Sequence, residues 1–237
     1  MKIFHFMSLV LPVLSTGITH SQNIPEGYIL QYEQNFSKKN ACNDFVFSSP
    51  ESWSISSEKG NCFLSFADTD NYDPPFSSPR IIAVFGNLIF GDFILEADLM
   101  QTDKNQNGAG LCIFYGIKDS VRYYFANLGN NDSIIQNLYL VNNNPAVAIN
   151  TDLVRGISWG EQKWHKIRIE RNIITRSTKV YFDNMQKPVL KAVDWTLVMG
   201  YIGFGSYNNS GRIDNIKIWS QTSISEPAGF FRKKAER

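Results

Sequence analysis

The chain is 237 residues long, 43% hydrophobic and 14% aromatic, with 23 lysines and arginines against 22 aspartates and glutamates. The net charge of +1 gives no basic excess for nucleic acid, and no polybasic run suits an anionic membrane surface, so neutral partners such as sugars fit better than polyanions. A length of this order suits one all-β domain with a single core.

The first residues, MKIFHFMSLVLPVLSTGITHSQ, read as a secretory signal peptide over 1–21. Lys2 supplies the positive start, Ile3 to Leu14 is apolar apart from His5 and Ser8, and Thr19 and Ser21 are small residues before a cut at Gln22. The apolar run is shorter than the ~20 residues a membrane span needs. The expected product is secreted or periplasmic, with no membrane span once the leader is removed.

Residues 22–34 form a polar, irregular lead-in, with Tyr28 and Tyr32, and Phe36 just beyond, as anchors. Residues 35–220 are expected to be one β-sandwich, and 221–237 a frayed tail. Asp44 to Phe66 reads as two strands broken by Pro50 and by the Lys59-Gly60-Asn61 turn. Thr69 to Arg80 holds Pro74, Pro75 and Pro79, which lack the N–H a ladder needs, so it should cross the surface as a loop. Ile81 to Phe85 and Asp92 to Met100 follow as strands. In the second, Phe93, Leu95, Ala97 and Leu99 face one way, and Ile94, Glu96 and Asp98 the other. After the Asp103–Gly110 turn, LCIFYGIKD and VRYYFANLG form a hairpin about Lys118-Asp119-Ser120. The last third reads WHKIRIERN, TKVYFDN, MGYIGFGSY and GRIDNIKIW, four short β-rich runs each ended by a turn residue or the tail. No segment of respectable length has helical period.

These runs, with GDFILEADL and the hairpin, resemble the strands of concanavalin A-like jelly rolls, including laminin-G-like sandwiches and the 3-keto-disaccharide hydrolase-like domains of secreted bacterial proteins. The resemblance covers roughly 35–219 and implies two packed antiparallel sheets, with sugar lying across the concave one. Such folds host binding modules, glycosidases and lyases alike. Relatives of the last group often carry histidines in the hairpin region, where this chain has Gly108, Asn127 and Ile134.

Several residues are candidates for chemistry. Glu96, Asp98 and Gln101 fall one residue short of the E-x-D-x-x-E signature of family 16 glycoside hydrolases, in which two carboxylates flank the scissile bond. An amide at Gln101 cannot protonate a leaving group, and alternation turns it to the other face, so Glu96 and Asp98 are weak catalytic candidates. His165, alone after the leader, falls in phase with Ile167 and Ile169 and should cap a core row. Asp214 resembles a carboxylate that binds structural calcium in several jelly rolls, or it closes the neighbouring turn. No other cofactor is implied. Cys42 and Cys62 either pair, which would contribute about 3 kcal/mol, or lie with Cys112 as small buried hydrophobes. The second option is preferred because the core is large enough without a bridge.

The better functional case is a sugar surface. Trp159, Trp164, Tyr123, Tyr181 and Trp195 could stack on pyranose faces, while Asn127, Asn137, Asn142 and Arg168 hydrogen-bond hydroxyls. The sequence therefore points to a secreted protein that recognises an oligo- or polysaccharide without turning it over. The alternatives are a glycoside hydrolase or lyase using Glu96 and Asp98 in a cleft roofed by the Pro-rich loop, and a structural cell-surface module. Oligomeric state is not legible.

Overall fold

The computed structural model describes residues 24–67, 72–103, 110–130, 136–153 and 157–231. The leader over 1–21, with Gly108 and Ile134, lies outside the described residues.

In chain order the strands are β1 (Ile29–Gln34), β2 (Phe45–Phe47), β3 (Trp53–Glu58), β4 (Asn61–Phe66), β5 (Ile81–Phe90), β6 (Phe93–Gln101), β7 (Gly110–Asp119), β8 (Arg122–Gly129) and β9 (Asn137–Asn142). They continue as β10 (Val147–Ala148), β11 (Asn150–Leu153), β12 (His165–Asn172), β13 (Ser177–Phe182), β14 (Leu190–Val193), β15 (Gly200–Ser206), β16 (Gly211–Ser220) and β17 (Ile224–Ser225). Among the described residues the helical turns are two 3-10 segments, Ala41–Asp44 and Pro50–Ser52, and no helix is long and apolar enough to cross a membrane.

The strands form two antiparallel sheets. One runs β11-β14-β13-β12-β6-β16-β4-β3, with β1 also on β16; the other runs β10-β9-β8-β7-β15-β5-β17, with β2 also on β5. The alternating rows meet between them. Phe93, Leu95, Ala97 and Leu99 of β6 and Ile167 and Ile169 of β12 pack against Leu111, Ile113, Tyr115, Tyr124 and Ala126 of the second sheet. Burying such side chains is worth roughly 1.5–3 kcal/mol each and is the main force holding the sheets together. Turn chemistry follows the sequence. The β3–β4 hairpin turns on Lys59 and Gly60, both at positive φ (51° and 84°), as a two-residue primed turn requires. β15 passes between β5 and β7 because its glycines bring the backbones close: a Cβ on Gly203 would lie 2.6 Å from the Ala83 carbonyl oxygen, and one on Gly205 would run into that of Ile81.

His165 caps its row as expected. It is buried, with Nδ1 2.8 Å from Asp183 Oδ2 and Nε2 2.7 Å from the Trp159 carbonyl oxygen. The three cysteines are unbridged.

Two expectations about the ends are corrected. Part of the lead-in is strand β1: β4 pairs with β16 only over Gly211–Ile213, which leaves the edge from Ile216 to Ser220 for Ile29–Gln34. Nor is the tail frayed through Phe231. β17 pairs with Leu88 and Ile89 of β5, the Ala228 N–H donates to the Gly86 carbonyl (2.8 Å), and Ala228 is fully buried. The cause is a second apolar layer on the outer face of the eight-stranded sheet, where Ile82, Val84, Phe114, Phe125 and Tyr201 need cover. Phe230 supplies some of it, edge-on to Tyr201 at 5.6 Å, and Phe231 meets Tyr72 at 5.0 Å.

Candidate functional site

The outward rows of the eight-stranded sheet are apolar at one end and polar at the other. On β8 the row is Tyr123, Phe125, Asn127; on β9 it is Val141, Tyr139, Asn137, with Asn127 paired to Asn137 and to Cys112 of β7. At the polar end a cleft of about 520 Å³ opens, lined by Ser78 and Arg80 from the Pro-rich loop, Gly110, Asn127, Tyr139 and the Tyr207–Asn209 turn that follows β15.

Each wall is held by contacts the local sequence explains. Phe125 is the pivot for both tyrosines: Tyr139 stacks on it at 4.8 Å and 16°, and Tyr207 meets it edge-on at 6.0 Å. Asn137 Nδ2 donates to the Tyr139 hydroxyl at 3.2 Å. The 207–209 turn is stapled by Asn209, whose Nδ2 donates to Asp103 Oδ2 (3.0 Å) while its Oδ1 accepts from the Gly110 N–H (3.1 Å). Arg80 Nε donates to the Tyr207 carbonyl at 3.2 Å, tying the Pro-rich loop to the same turn. Asn127 is 1% exposed; its Oδ1 accepts from the Cys112 thiol (3.5 Å), and its Nδ2 has no hydrogen-bond partner. Burial pushes the Cys112 thiol well up, so it stays an S–H donor. Burial, with Cys112, Tyr139 and Tyr123 nearby, likewise holds the Tyr207 phenol up and protonated. The cleft thus offers ring surface and neutral hydrogen-bonding groups, with Arg80 at the rim as the one ionic lining residue among the described residues.

The other candidates go elsewhere. Tyr123 shares the Asn127 face but is buried beside Phe114 at 5.7 Å, within the apolar end. Asn142 closes the far end of β9, opposite Arg122 and in phase with the inward Leu138 and Leu140. Trp159 is fully buried, its Nε1 donating to the Leu128 carbonyl at 2.9 Å and its ring edge-on to His165 and Phe182, so it offers no face to a sugar. Such a ring looks the same in sequence whether it packs inward or stands out. Trp195 is exposed, with the Arg176 guanidinium 3.8 Å over its ring.

The rest lie on the outer face of the nine-stranded sheet. Glu96 and Asp98 line one pocket of about 220 Å³ with Gln34, Lys166, Asn215 and Lys217, but the Pro-rich loop does not roof it, because that loop covers the other sheet. Glu96 is buried and pairs with Arg168 Nη1 at 2.8 Å; Arg168 Nε reaches Glu170 at 2.9 Å, and the Tyr181 hydroxyl donates to Glu170 at 3.0 Å. Burial, then Glu170, pushes the Tyr181 phenol up to about 12. Asp98 meets Lys166 at 3.2 Å and accepts from Asn215 Nδ2 at 2.8 Å. Gln101 is turned to the opposite face, as alternation requires. Trp164 packs edge-on to Phe63 at 5.7 Å. Cross-strand charges in register make this face a ladder of ion pairs, buried at Glu96–Arg168 and more open at Asp98–Lys166.

Asp214 is the expected calcium ligand. It is buried, accepts from Asn61 Nδ2 (2.8 Å) and from the Asn215 N–H (2.7 Å), and is held above the usual carboxylate range by burial, with Asp98 adding to the shift. The groups offered to it are N–H donors, whereas calcium needs about six to eight oxygens, so these residues do not fit the ion. Among the described residues no three His, Cys, Asp or Glu side chains cluster as metal ligands.

Two face-to-face antiparallel sheets in this order make the chain a concanavalin A-like β-sandwich of the jelly-roll type. It superposes on carbohydrate-binding module CBM66 from Bacillus subtilis with a TM-score of 0.55 at 17% identity, covering 75% of this chain and 96% of that one. Lectin I-B4 from Griffonia simplicifolia, in its metal-free form, gives 0.54 at 11% identity, covering 81% and 98%. A GH43 protein from Bacillus licheniformis gives 0.56 at 11% identity, with 78% of this chain matched to 38% of that one. No family model matches the chain, and no curated protein matches it in sequence.

Proposed function

We propose that the protein is a secreted, non-catalytic glycan-recognition module and that the sugar sits in the cleft between Arg80, Asn127, Tyr139 and Tyr207. The observation that carries this is the pairing of tyrosine rings with a buried, partnerless amide N–H in one concavity of ligand size. Sugars present an apolar C–H face and a polar rim, and the walls match both. The likeness in fold to a carbohydrate-binding module and a lectin supports the class of ligand, and the leader-like first 21 residues support export. Hydrolysis or elimination by Glu96 and Asp98 is disfavoured because both are engaged in ion pairs on the other sheet.

Glycan-array binding of the purified protein, followed by calorimetric titration of each hit, tests the proposal. Losing the Tyr207 ring should cost about 1–2 kcal/mol, from a ring contact plus a hydrogen bond, so Tyr207→Ala should bind roughly 5- to 30-fold more weakly. Unchanged affinity in both Tyr207→Ala and Asn127→Ala would remove the cleft from consideration.

A further inference from the structure

The floor of the cleft is more selective than its walls. Asn127 Oδ1 is occupied by the Cys112 S–H and lies close to Gly110, where an added Cβ would sit 2.8 Å away. Its Nδ2 is buried and has no partner. At this point the cleft therefore offers an N–H donor, while the acceptor of the same amide is turned to β7.

A sugar hydroxyl is a poor match for that floor. It could accept from Nδ2, but its own proton would then need a second partner, and the amide oxygen beside it is turned toward Cys112 and Gly110 of β7. An unpaired buried hydroxyl proton is costly. A carboxylate is acceptor-only, yet one neutral N–H cannot compensate the burial of a charge, and Arg80 stands at the exposed rim. A neutral carbonyl oxygen has neither difficulty. Beside the floor, the rings of Tyr139 and Tyr207 around Phe125 give an apolar surface wide enough for a methyl group.

We infer that the cleft is specific for an N-acetylated sugar, whose acetamido carbonyl accepts from Asn127 Nδ2 and whose methyl packs on the Tyr139 and Tyr207 rings. This rests on the cleft being a glycan site, and it assigns Cys112 as a positioning residue that holds the Asn127 amide in the donating orientation.

The test is calorimetric titration with matched pairs differing only in the acetamido group: chitobiose against cellobiose, and N-acetylgalactosamine against galactose. Glucosamine and glucuronic acid serve as controls. In at least one pair the acetylated member should bind ten-fold or more tightly than its hydroxyl counterpart, and both controls should be weak. Asn127→Asp replaces the N–H donor by an acceptor at constant size and should abolish the preference. Tyr207→Ala, which removes a half-buried ring packed edge-on to Phe125, should reduce it, and circular dichroism verifies that each variant folds. Equal affinity within both pairs, tighter binding of glucuronic acid, or a preference that survives Asn127→Asp would overturn the inference. If those results came with array hits still weakened by Tyr207→Ala, the cleft would remain a glycan site for another sugar. Hits indifferent to every cleft substitution would overturn both.

Discussion

Replacing Glu96 by glutamine separates a structural carboxylate from a functional one. Glu96 and Arg168 pair at 2.8 Å with side chains only 4% and 5% exposed, so neither has water to fall back on. Removing one partner of a buried pair costs about 3–5 kcal/mol. Two features reduce that here: glutamine retains a carbonyl oxygen for the guanidinium, and Arg168 keeps its 2.9 Å contact with Glu170. The remaining loss is that of a charge-assisted hydrogen bond, about 1–3 kcal/mol. In a domain of this size each kcal/mol lowers Tm by about 2–4 °C, so Glu96→Gln should melt roughly 2–12 °C lower. Arg168→Met removes the guanidinium from the buried acid and should cost more than Glu96→Gln, while Glu96→Leu combined with Arg168→Met should recover much of it. Scanning calorimetry reads the melting points, and titration with any glycan the protein binds should show Glu96→Gln unaltered. An unchanged Tm together with lost sugar binding or lost turnover would mean that Glu96 faces a ligand and that the charged sheet is the working surface.

Gly205→Ala should prevent folding or leave a protein melting more than about 10 °C lower, because the added Cβ meets the Ile81 backbone, which is fixed in the ladder; yield and thermal melts would reveal this, and a near-native Tm would contradict the strand spacing. For Asp194, burial raises the carboxyl pKa, but hydrogen bonds from Tyr124 and Thr196, with Arg171 close by, more than offset it and hold the group below its usual value. A depressed folded pKa contributes stability above the unfolded value, and that contribution fades as pH falls from about 4 through the folded pKa. Chemical denaturation at stepped pH should therefore show a shallower acid limb for Asp194→Asn than for wild type, and parallel limbs would refute the assignment.

Most of the sandwich is legible in the chain because a strand's parity is local information. His165, Ile167 and Ile169 announce their shared face without reference to any other segment, and Lys59-Gly60 announces its turn. What parity leaves open is which of the two faces a row belongs to, and what lies on top of it. Glu96 and Asn127 both read as outward polar residues, yet they stand on opposite outer faces of the molecule. The tail looks frayed because Ile224, Ala228 and Phe230 acquire meaning only against the apolar outer face of β5 and β15. Of the predicted sugar contacts only Asn127 lines the cleft, with Asn137 behind it. Tyr139, Tyr207 and Arg80 escaped because β9, the turn after β15 and the Pro-rich loop are distant in sequence and converge only through register. Asn209 staples the cleft wall through Asp103 and Gly110, partners that its own sequence neighbourhood does not reveal.

The central claim is about location, and amide chemical-shift mapping tests it most directly. Titrating 15N-labelled protein with the tightest array hit should move the resonances of Gly110, Asn127, Tyr139, Asn208 and Asn209, and leave Glu96, Asp98, Lys166 and Lys217 in place. Shifts confined to those four, on the ion-paired face, would contradict the account.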